Sequence, residues 1–188
     1  MANPRFRIRD ALPGDADYII AAFDSALPFL SSIGSAAQWG TTPLSEIDGF
    51  SAQRVKSVES SVTYQATGTG DPVRVYIIEA LSPSPSYSDS EGDGGEREGE
   101  YVPVGSSTLH EEFFPGYVTC QKHLSDIIRE AKNFLFIEVL ITDFRVGNHL
   151  RKGAGAELVR HAVEYAREKG KSAVYVDCWA GNGRKLTR

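Results

Sequence analysis

The sequence predicts an α/β domain in which a mixed central sheet is flanked by helices. A long amphipathic helix lies between two strand-like segments, residues 134–142 and 172–179, and this order forms a parallel pair with a right-handed crossover. Two other apolar segments, residues 73–81 and 101–109, flank a polar stretch and predict an antiparallel hairpin. The length of 188 residues suits one domain with a full core, so we expect residues 1–188 to form a single domain.

The N-terminal part predicts a strand followed by two helices. Residues 6–9 alternate between apolar and polar side chains, as in a short strand. A Pro-Gly-Asp turn then precedes a helix with the apolar stripe Ile19, Ile20, Ala22, Phe23 and Leu27. Residues 28–43 are expected to form a loop that contains Trp39, and residues 45–65 are expected to form the second helix.

Residues 82–100 differ in composition from the rest of the chain, with Ser-Pro repeats followed by an acidic, glycine-rich run. Such a segment cannot bury enough apolar surface to order itself, so we expect a disordered loop within the hairpin. A regulatory segment with phosphorylatable serines is the alternative. After the hairpin, a Phe-Phe-Pro-Gly turn and the segment HLSDIIREAK predict a short helix before the central strand.

The histidines do not predict a metal site. His110 precedes Glu111 and Glu112, but adjacent residues of a strand point to opposite faces, so we expect a solvated strand end there. His123, His149 and His161 have no partners at ligand spacing.

The helix before Gly170 is the clearest element of the sequence. Its apolar positions recur at three- and four-residue spacing, namely Leu158, Val159, Ala162, Val163 and Ala166. The residues that open it, Gly153, Ala154, Gly155 and Ala156, have almost no side chain. Backbone amides at a helix N-terminus lack intrahelical acceptors and attract phosphate together with the helix dipole. Arg151 and Lys152 add positive charge, so the pattern predicts a phosphate site; close packing of the glycines is the alternative.

Two common phosphate motifs do not fit this turn. A dinucleotide fingerprint needs a third glycine where Leu158 stands, and its glycines follow the strand directly. The triplet Gly170-Lys171-Ser172 resembles the end of a P-loop, but it lies between a helix and a strand, which is the wrong order.

The segment Leu150-Arg151-Lys152-Gly153-Ala154-Gly155 resembles motif A of the GCN5-related N-acetyltransferases, Gln/Arg-x-x-Gly-x-Gly/Ala, except at Leu150. The Arg-x-Ala-x-x-x-Asp-Ala opening and residues 181–186 are also similar to that family. The resemblance implies an acetyltransferase-like sheet and acetyl-coenzyme A (acetyl-CoA) as cofactor. It places the pyrophosphate on the amides of residues 151–156 and the pantetheine along Val139, Leu140 and Ile141. It also implies a coenzyme contact for Asn182 and an acceptor contact for Trp39, although helix capping and core packing are equally open for these two.

Glu138 is the candidate catalytic residue. It is the one charge within an otherwise apolar strand, which is costly unless the carboxylate is solvated or paired. Because an alkyl ammonium has a pKa of about 10, transfer to an amine requires a base, and the resemblance assigns that role to a Glu in an Ile-Glu-x-Leu pattern. A backbone N–H near Leu140 or Ile141 is the candidate donor to the developing oxyanion. We expect Glu138 to face the acceptor cleft; an ion-paired Glu on a solvent-facing side of the sheet is the alternative.

The end of the sequence departs from the family pattern. The usual last helix with its Tyr and the two final strands are not found after Asn182. Three interpretations stay open: a truncated chain, a short chain that completes its sheet with a partner, or a protein that keeps the coenzyme site without full catalysis. The predicted function is N-acetyl transfer from acetyl-CoA to a primary amine. The alternatives are a non-catalytic coenzyme A-binding or interaction module and, more weakly, a protein without a coenzyme site.

Composition narrows the partners. A net charge of -5 does not suggest nucleic acid, and no apolar run is long enough for a membrane span. Cys120 and Cys178 are expected to be reduced thiols in a cytoplasmic protein, because no export signal is recognisable. The expected partners are a small-molecule or protein amine acceptor and, through an open sheet edge, a second copy of the chain.

Overall fold

The structure is a computed structural model that describes residues 5–82, 99–179 and 181–184, without the side chains of residues 182 and 184. Nearly all of the predicted loop at residues 82–100 lies outside the described residues. The strands are β1 (Phe6–Asp10), β2 (Val73–Ser82), β3 (Glu100–Glu111), β4 (Phe134–Thr142) and β5 (Ala173–Val176). The helices are α1 (Asp15–Ser32), α2 (Phe50–Thr67), α3 (Gly116–Thr119), α4 (Ser125–Glu130), α5 (Asn148–Arg151), α6 (Ala154–Glu168) and α7 (Gly181–Arg184).

The five strands form one mixed sheet in the order β1-β2-β3-β4-β5. The first four strands pair antiparallel, and β4 pairs parallel with β5. The predicted hairpin is therefore β2–β3, and the predicted parallel pair is β4–β5 with α6 as the crossover. The prediction of a mixed sheet flanked by helices is confirmed.

Both faces of the sheet are covered by helices, so the interior strand β2 is buried on both sides. Val75 and Ile77 pack against α1 and α2 in one core cluster. Tyr76 and Ile78 belong to the clusters under α6 on the other face. A strand that is buried on two faces carries a continuous apolar run, which is the pattern that predicted it.

Helix α6 matches the predicted helix, but its buried stripe is rotated. Leu158, Ala162 and Ala166 are buried as expected, and Tyr165 is buried with them. Val159, which was placed in the stripe, is 40% exposed. The buried face of α6 therefore contains Leu158 and, two turns later, Tyr165. Val159 lies at the solvent-facing border of this face.

Two helix boundaries differ from the prediction. Helix α1 continues past Pro28 to Ser32, so the predicted loop starts one turn later; Phe29 in this turn stacks on Phe144 with ring centroids 4.5 Å apart. Helix α2 begins at Phe50 instead of residue 45, because Gly49 adopts a left-handed conformation with φ 80° that ends the preceding turn.

Candidate active site

A β-bulge in β4 organises the site. Leu109 of β3 is opposite Ile137, and Thr108 is opposite Val139, so Glu138 is the extra residue between them. The pairing of β4 with β5 also ends at Ile137, opposite Val176. A bulge adds one residue to one strand and redirects the side chains that follow it. The bulge and the separation of β4 from β5 therefore coincide at Glu138.

Glu138 is paired on both carboxylate oxygens and is only 11% exposed. Its Oε2 lies 2.9 Å from Nε2 of His110, and its Oε1 lies 3.8 Å from the guanidinium of Arg54. Burial alone would raise the pKa of Glu138, but the His110 hydrogen bond and the Arg54 charge outweigh it, so the pKa of this carboxyl is lowered. Glu138 is thus a carboxylate at neutral pH.

The expectation of a solvated strand end at His110, Glu111 and Glu112 is wrong for the first two. His110 turns toward Glu138, as described above. Glu111 turns to the other side, where its Oε2 lies 2.7 Å from Nζ of Lys171 and its Oε1 accepts a hydrogen bond of 2.7 Å from Tyr165. Adjacent residues do point to opposite faces, but each face supplies a partner. Only Glu112 is largely exposed.

A cleft of about 780 Å³ opens in front of Glu138. Its walls include the aromatic rings of Phe23, Phe50, Phe113 and Tyr117. Glu138, His110 and Arg54 meet at one place in it, and other charged residues, among them Lys56, Asp71 and Glu112, also line the cleft. An apolar cleft of this size with a few convergent polar groups is typical of a small-molecule site. Glu138 thus lines a cleft, and the prediction that this cleft takes the acceptor stays a prediction.

Arg54, on α2, was not singled out in the sequence. Its side chain is 6% exposed and its guanidinium lies 5.5 Å from the centre of the Phe50 ring. Its Nε has no hydrogen-bond partner among the described residues. Burial lowers the pKa of Arg54, and the charge of Glu138 only partly offsets this effect.

Tyr117, on α3, connects the cleft to the end of β5. Its hydroxyl donates a hydrogen bond of 3.1 Å to Oδ1 of Asp177, the residue that follows β5. Burial and the neighbouring carboxylates of Asp177 and Glu138 raise the pKa of Tyr117, so the phenol stays protonated. The hydroxyl is therefore a hydrogen-bond donor where β4 and β5 separate.

Beyond Glu138, the edge of β4 that faces β5 has no strand partner among the described residues. The Asp143 amide donates to the Val104 carbonyl of β3. Going back along β4 from Asp143, every second residue therefore directs its backbone N–H and C=O toward β3. By this alternation Ile141 and Val139 bond to β3, whereas the N–H and C=O of Leu140 point to the open edge. The Leu140 side chain is 38% exposed. Of the three predicted edge residues, Leu140 alone offers both its backbone groups and its side chain.

The glycine-rich turn lies at the start of α6 and is open. Gly153 has φ 96°, a left-handed conformation that favours glycine, and it precedes the first helical residue Ala154. A Cβ added to Gly155 would meet no atom within 4 Å. The side chain of Arg5 holds the turn from outside, since it donates to the carbonyls of His149 and Lys152 at 2.7 and 3.0 Å. Close packing therefore does not explain Gly155.

The backbone amides of Arg151 and Lys152 are not free to bind the predicted phosphate. The amides of Arg151 and Lys152 already donate to the carbonyls of Gly147 and Asn148. The Arg151 guanidinium lies over the Phe144 ring, 4.1 Å from its centre, while Lys152 is exposed. The amides at residues 153–156, in the first turn of α6, have no acceptor outside the helix within the described part of the chain. The predicted cradle therefore narrows to Gly153, Ala154, Gly155 and Ala156.

Leu150, the departure from motif A, has a structural explanation. It packs against a buried cluster that contains Ile78, Val104 and Leu158. An arginine or glutamine would place a polar group against this apolar cluster. At this position the chain uses the side chain to attach the loop to the core.

Trp39 does not line the cleft, and the predicted contact of Asn182 falls on a side chain that the structure does not describe. Trp39 packs on Phe23, with ring centroids 5.3 Å apart, and is not among the residues that line the cleft. Phe23 stands between Trp39 and the cleft, so the structure supports the core-packing alternative. Asn182 lies in α7, and its side chain is outside the described residues.

Two other predicted classes of site can be compared with the structure. No cluster of three or more His, Cys, Asp or Glu side chains suited to a metal ion occurs in the described ranges. Cys120 and Cys178 are exposed free thiols. Among the described helices, none combines the length and the hydropathy that crossing a membrane requires.

Comparison with known proteins indicates the family that this chain resembles and its fold. The sequence model of the Acetyltransferase (GNAT) family matches residues 95–185, just under half of the chain, and this segment contains Glu138 and the glycine-rich turn. No curated protein sequence matches significantly.

Among solved structures, yncA from Salmonella typhimurium, a candidate acetyltransferase with its cofactor acetyl-CoA, is similar with a TM-score of 0.52 and 16% identity over 98% of this chain and 76% of that one. A candidate GNAT-family acetyltransferase from Desulfovibrio desulfuricans has a TM-score of 0.52 and 10% identity over 97% of this chain and 79% of that one. At these identities the likeness concerns the fold. The whole described chain thus has the fold of these acetyltransferases, and its C-terminal half also matches the GNAT sequence model.

Proposed function

We propose that this protein is a GNAT-family N-acetyltransferase that moves an acetyl group from acetyl-CoA to a primary amine. The observation that carries the proposal is the coincidence at Glu138 of the bulge, the end of β4–β5 pairing and the cleft. The open β4 edge and the turn at α6 lie on one side of this point, and the cleft lies on the other. A donor and an acceptor could therefore meet beside one carboxylate.

The residues present fit acetyl-CoA. The empty space beside Gly155 leaves room for a phosphate on the first-turn amides of α6, where the helix dipole adds attraction. The free N–H and C=O of Leu140 can pair with the amide groups of pantetheine as an added strand would. When bound, the coenzyme supplies an acetyl group activated as a thioester. Lys152 is exposed next to the turn and adds positive charge for the phosphates.

Two groups of the chain serve the transfer. The acceptor must lose a proton, and Glu138 with its partner His110 provides a carboxylate–imidazole pair to accept it. The lowered pKa of Glu138 makes it a weaker base than an ordinary carboxylate, so we assign proton acceptance to the hydrogen-bonded pair and not to Glu138 alone. The N–H of Leu140, on the open edge, can donate to the carbonyl oxygen as negative charge develops on it.

The leaving group of the proposed transfer is the thiol of coenzyme A. A thiol has an ordinary pKa of about 8.5 and leaves readily as a thiolate, so a strong proton donor is not required. Tyr117 stays protonated because its pKa is raised, but its single O–H is donated to Asp177, so it could serve the thiolate only by exchanging that contact.

One observation favours a second function. Leu150 replaces a coenzyme-contacting residue of motif A and is committed to the core. A non-catalytic coenzyme A-binding module would tolerate this loss more easily than an enzyme.

Calorimetric titration with acetyl-CoA, followed by a thiol-release assay over a panel of primary amines, tests both functions. For an enzyme we expect saturable binding and thiol release that depends on the amine. Binding without release on any amine would support the module, and the absence of binding would refute both.

A further inference from the structure

Arg54 carries a buried charge that the transfer chemistry described above does not use. Its side chain is 6% exposed, yet the only carboxylate beside it within the described residues is Glu138, at 3.8 Å. That distance is beyond a hydrogen bond, and the Nε of Arg54 is buried without a partner. A buried guanidinium normally has hydrogen-bonded anions around it, because desolvation is costly. The position of Arg54 in the cleft wall indicates that a ligand supplies the missing anion.

Glu138 does not complete this pairing, because it is already engaged. Its Oε2 is 2.9 Å from His110, and this contact holds the carboxylate away from a two-bond pair with Arg54. The guanidinium therefore keeps donors that face the cleft. A planar fork of N–H donors matches a carboxylate, which can accept two parallel hydrogen bonds.

We infer that the acceptor is an α-amino acid with an apolar or aromatic side chain, whose carboxylate binds Arg54 and whose amine lies against Glu138 and His110. This inference rests on the proposed acetyl transfer. The Arg54 guanidinium and the Glu138 carboxylate are 3.8 Å apart. The ammonium nitrogen and the carboxylate oxygens of an α-amino acid are separated by roughly 3 Å, given standard bond lengths. The two charge pairs can therefore form side by side.

The remaining walls of the cleft define the side chain of the acceptor. Phe23, Phe50, Phe113 and Tyr117 present aromatic surface beside the charged pair. Aromatic walls favour apolar and aromatic groups, which gain from burial and from ring contacts. A second cation beside Arg54 would be repelled, because like charges in a poorly solvated site repel strongly. Asp71, Glu111 and Glu112 also line the cleft, so this repulsion applies only to the part of the cleft next to Arg54.

Binding measurements with coenzyme A present test the inference without requiring turnover. The probes are L-phenylalanine, L-leucine and L-methionine, each compared with its amide, which keeps the ammonium group and removes the negative charge. We expect at least one acid to bind the wild-type protein about tenfold or more tightly than its amide, since charge-assisted pairs are the strong ones. Acids and amides that bind equally, or no binding of any acid, would overturn the inference.

The matched variants are Arg54→Gln and, as control, Lys56→Gln. Lys56 lies on the same helix and lines the same cleft, but it is exposed. Arg54→Gln should abolish the preference for the acid over the amide, whereas Lys56→Gln should retain it. The comparison of ligands on the wild-type protein still decides the matter if Arg54→Gln does not fold, and an equal loss in both variants counts against a specific role for Arg54.

A parallel thiol-release assay with the same probes separates this inference from the proposed function. Release with the amides or with 2-phenylethylamine at the same rate as with the acids would retain acetyl transfer and refute the carboxylate requirement. Arg54-dependent binding of an acid without release on any amine would retain the binding site and refute the transfer.

Discussion

Replacement of Gly155 by alanine separates a ligand-binding role of the glycine-rich turn from a packing role. Gly155 is the second residue of α6, and a Cβ built on it meets no atom within 4 Å. Alanine is favoured over glycine in a helix by up to about 1 kcal/mol. For a domain of this size, 1 kcal/mol corresponds to a change in melting temperature of roughly 2–4 °C. We therefore expect Gly155→Ala to raise the melting temperature of the ligand-free protein by about 1–4 °C.

The same methyl group should weaken coenzyme binding. It would project into the space beside the first-turn amides, where a phosphate oxygen must approach to accept their hydrogen bonds. A hydrogen bond to a charged group contributes about 1.5–3 kcal/mol, and each 1.4 kcal/mol is about tenfold in affinity. The expected loss of affinity for acetyl-CoA is therefore about tenfold to a hundredfold, opposite in sign to the gain in stability.

Gly153→Ala, in the same turn, is the comparison for stability alone, and it should lower the melting temperature where Gly155→Ala raises it. Gly153 has φ 96°, and its added Cβ would only touch Phe6 at 3.6 Å, so its cost is backbone strain of roughly 1–2 kcal/mol. Differential scanning fluorimetry gives the melting temperatures, and titration calorimetry gives the coenzyme affinities. If Gly155→Ala lowers the melting temperature or leaves the affinity unchanged, the reasoning about this turn is wrong.

Three further predictions concern the carboxylates and the core. Glu138→Gln should reduce thiol release by about a hundredfold or more while coenzyme affinity stays the same; equal turnover would remove Glu138 from the mechanism. Glu111→Gln leaves the buried Lys171 with only its longer 3.6 Å contact to the exposed Glu112 and should cost up to about 3 kcal/mol of unfolding free energy in urea titrations. The pKa of Glu111 is lowered in the fold, so its contribution to stability is present above the unfolded pKa of about 4.5 and is lost as pH falls through the folded pKa. The variant should therefore lose less stability in acid than the wild-type protein. Acid unfolding profiles that run parallel for the two proteins would contradict this. Leu158→Ala, in the buried stripe of α6, should cost about 2–5 kcal/mol of unfolding free energy, whereas Val159→Ala should have a small effect. Equal losses in the two variants would contradict the observed rotation of the stripe.

The sequence predicted the fold well because its signals are local. The apolar spacing of α6 and the apolar run of β2 are each read within one segment, and the order of segments determines a parallel β4–β5 pair. The errors also have local causes. Val159 occupies an apolar position of an approximate stripe, and only packing shows which residues of that stripe are buried.

The polar partners in the cleft could not be predicted in the same way. Glu138 was recognisable because a charge inside an apolar strand is itself a local signal. His110 lies 28 residues earlier and meets Glu138 only through the β3–β4 register. Arg54 sits on a helix where an arginine normally faces solvent, and its burial depends on how α2 packs over the sheet. Contacts of this kind require the tertiary structure.

The bulge in β4 explains why the open edge was predicted only as a range. Without an extra residue, strict alternation would place Val139 and Ile141 on the face opposite Glu138. In the structure Val139 and Ile141 instead pack under α1, on the same side as the Arg54 contact of Glu138. Because Val139, Leu140 and Ile141 are all apolar, the side chains do not show on which face each one lies. The bulge therefore leaves Leu140 as the residue exposed at the separation of β4 from β5. It also brings Val139 and Ile141 to the face on which Glu138 meets the cleft, so one irregularity in the sheet arranges both the open edge and this side of the cleft.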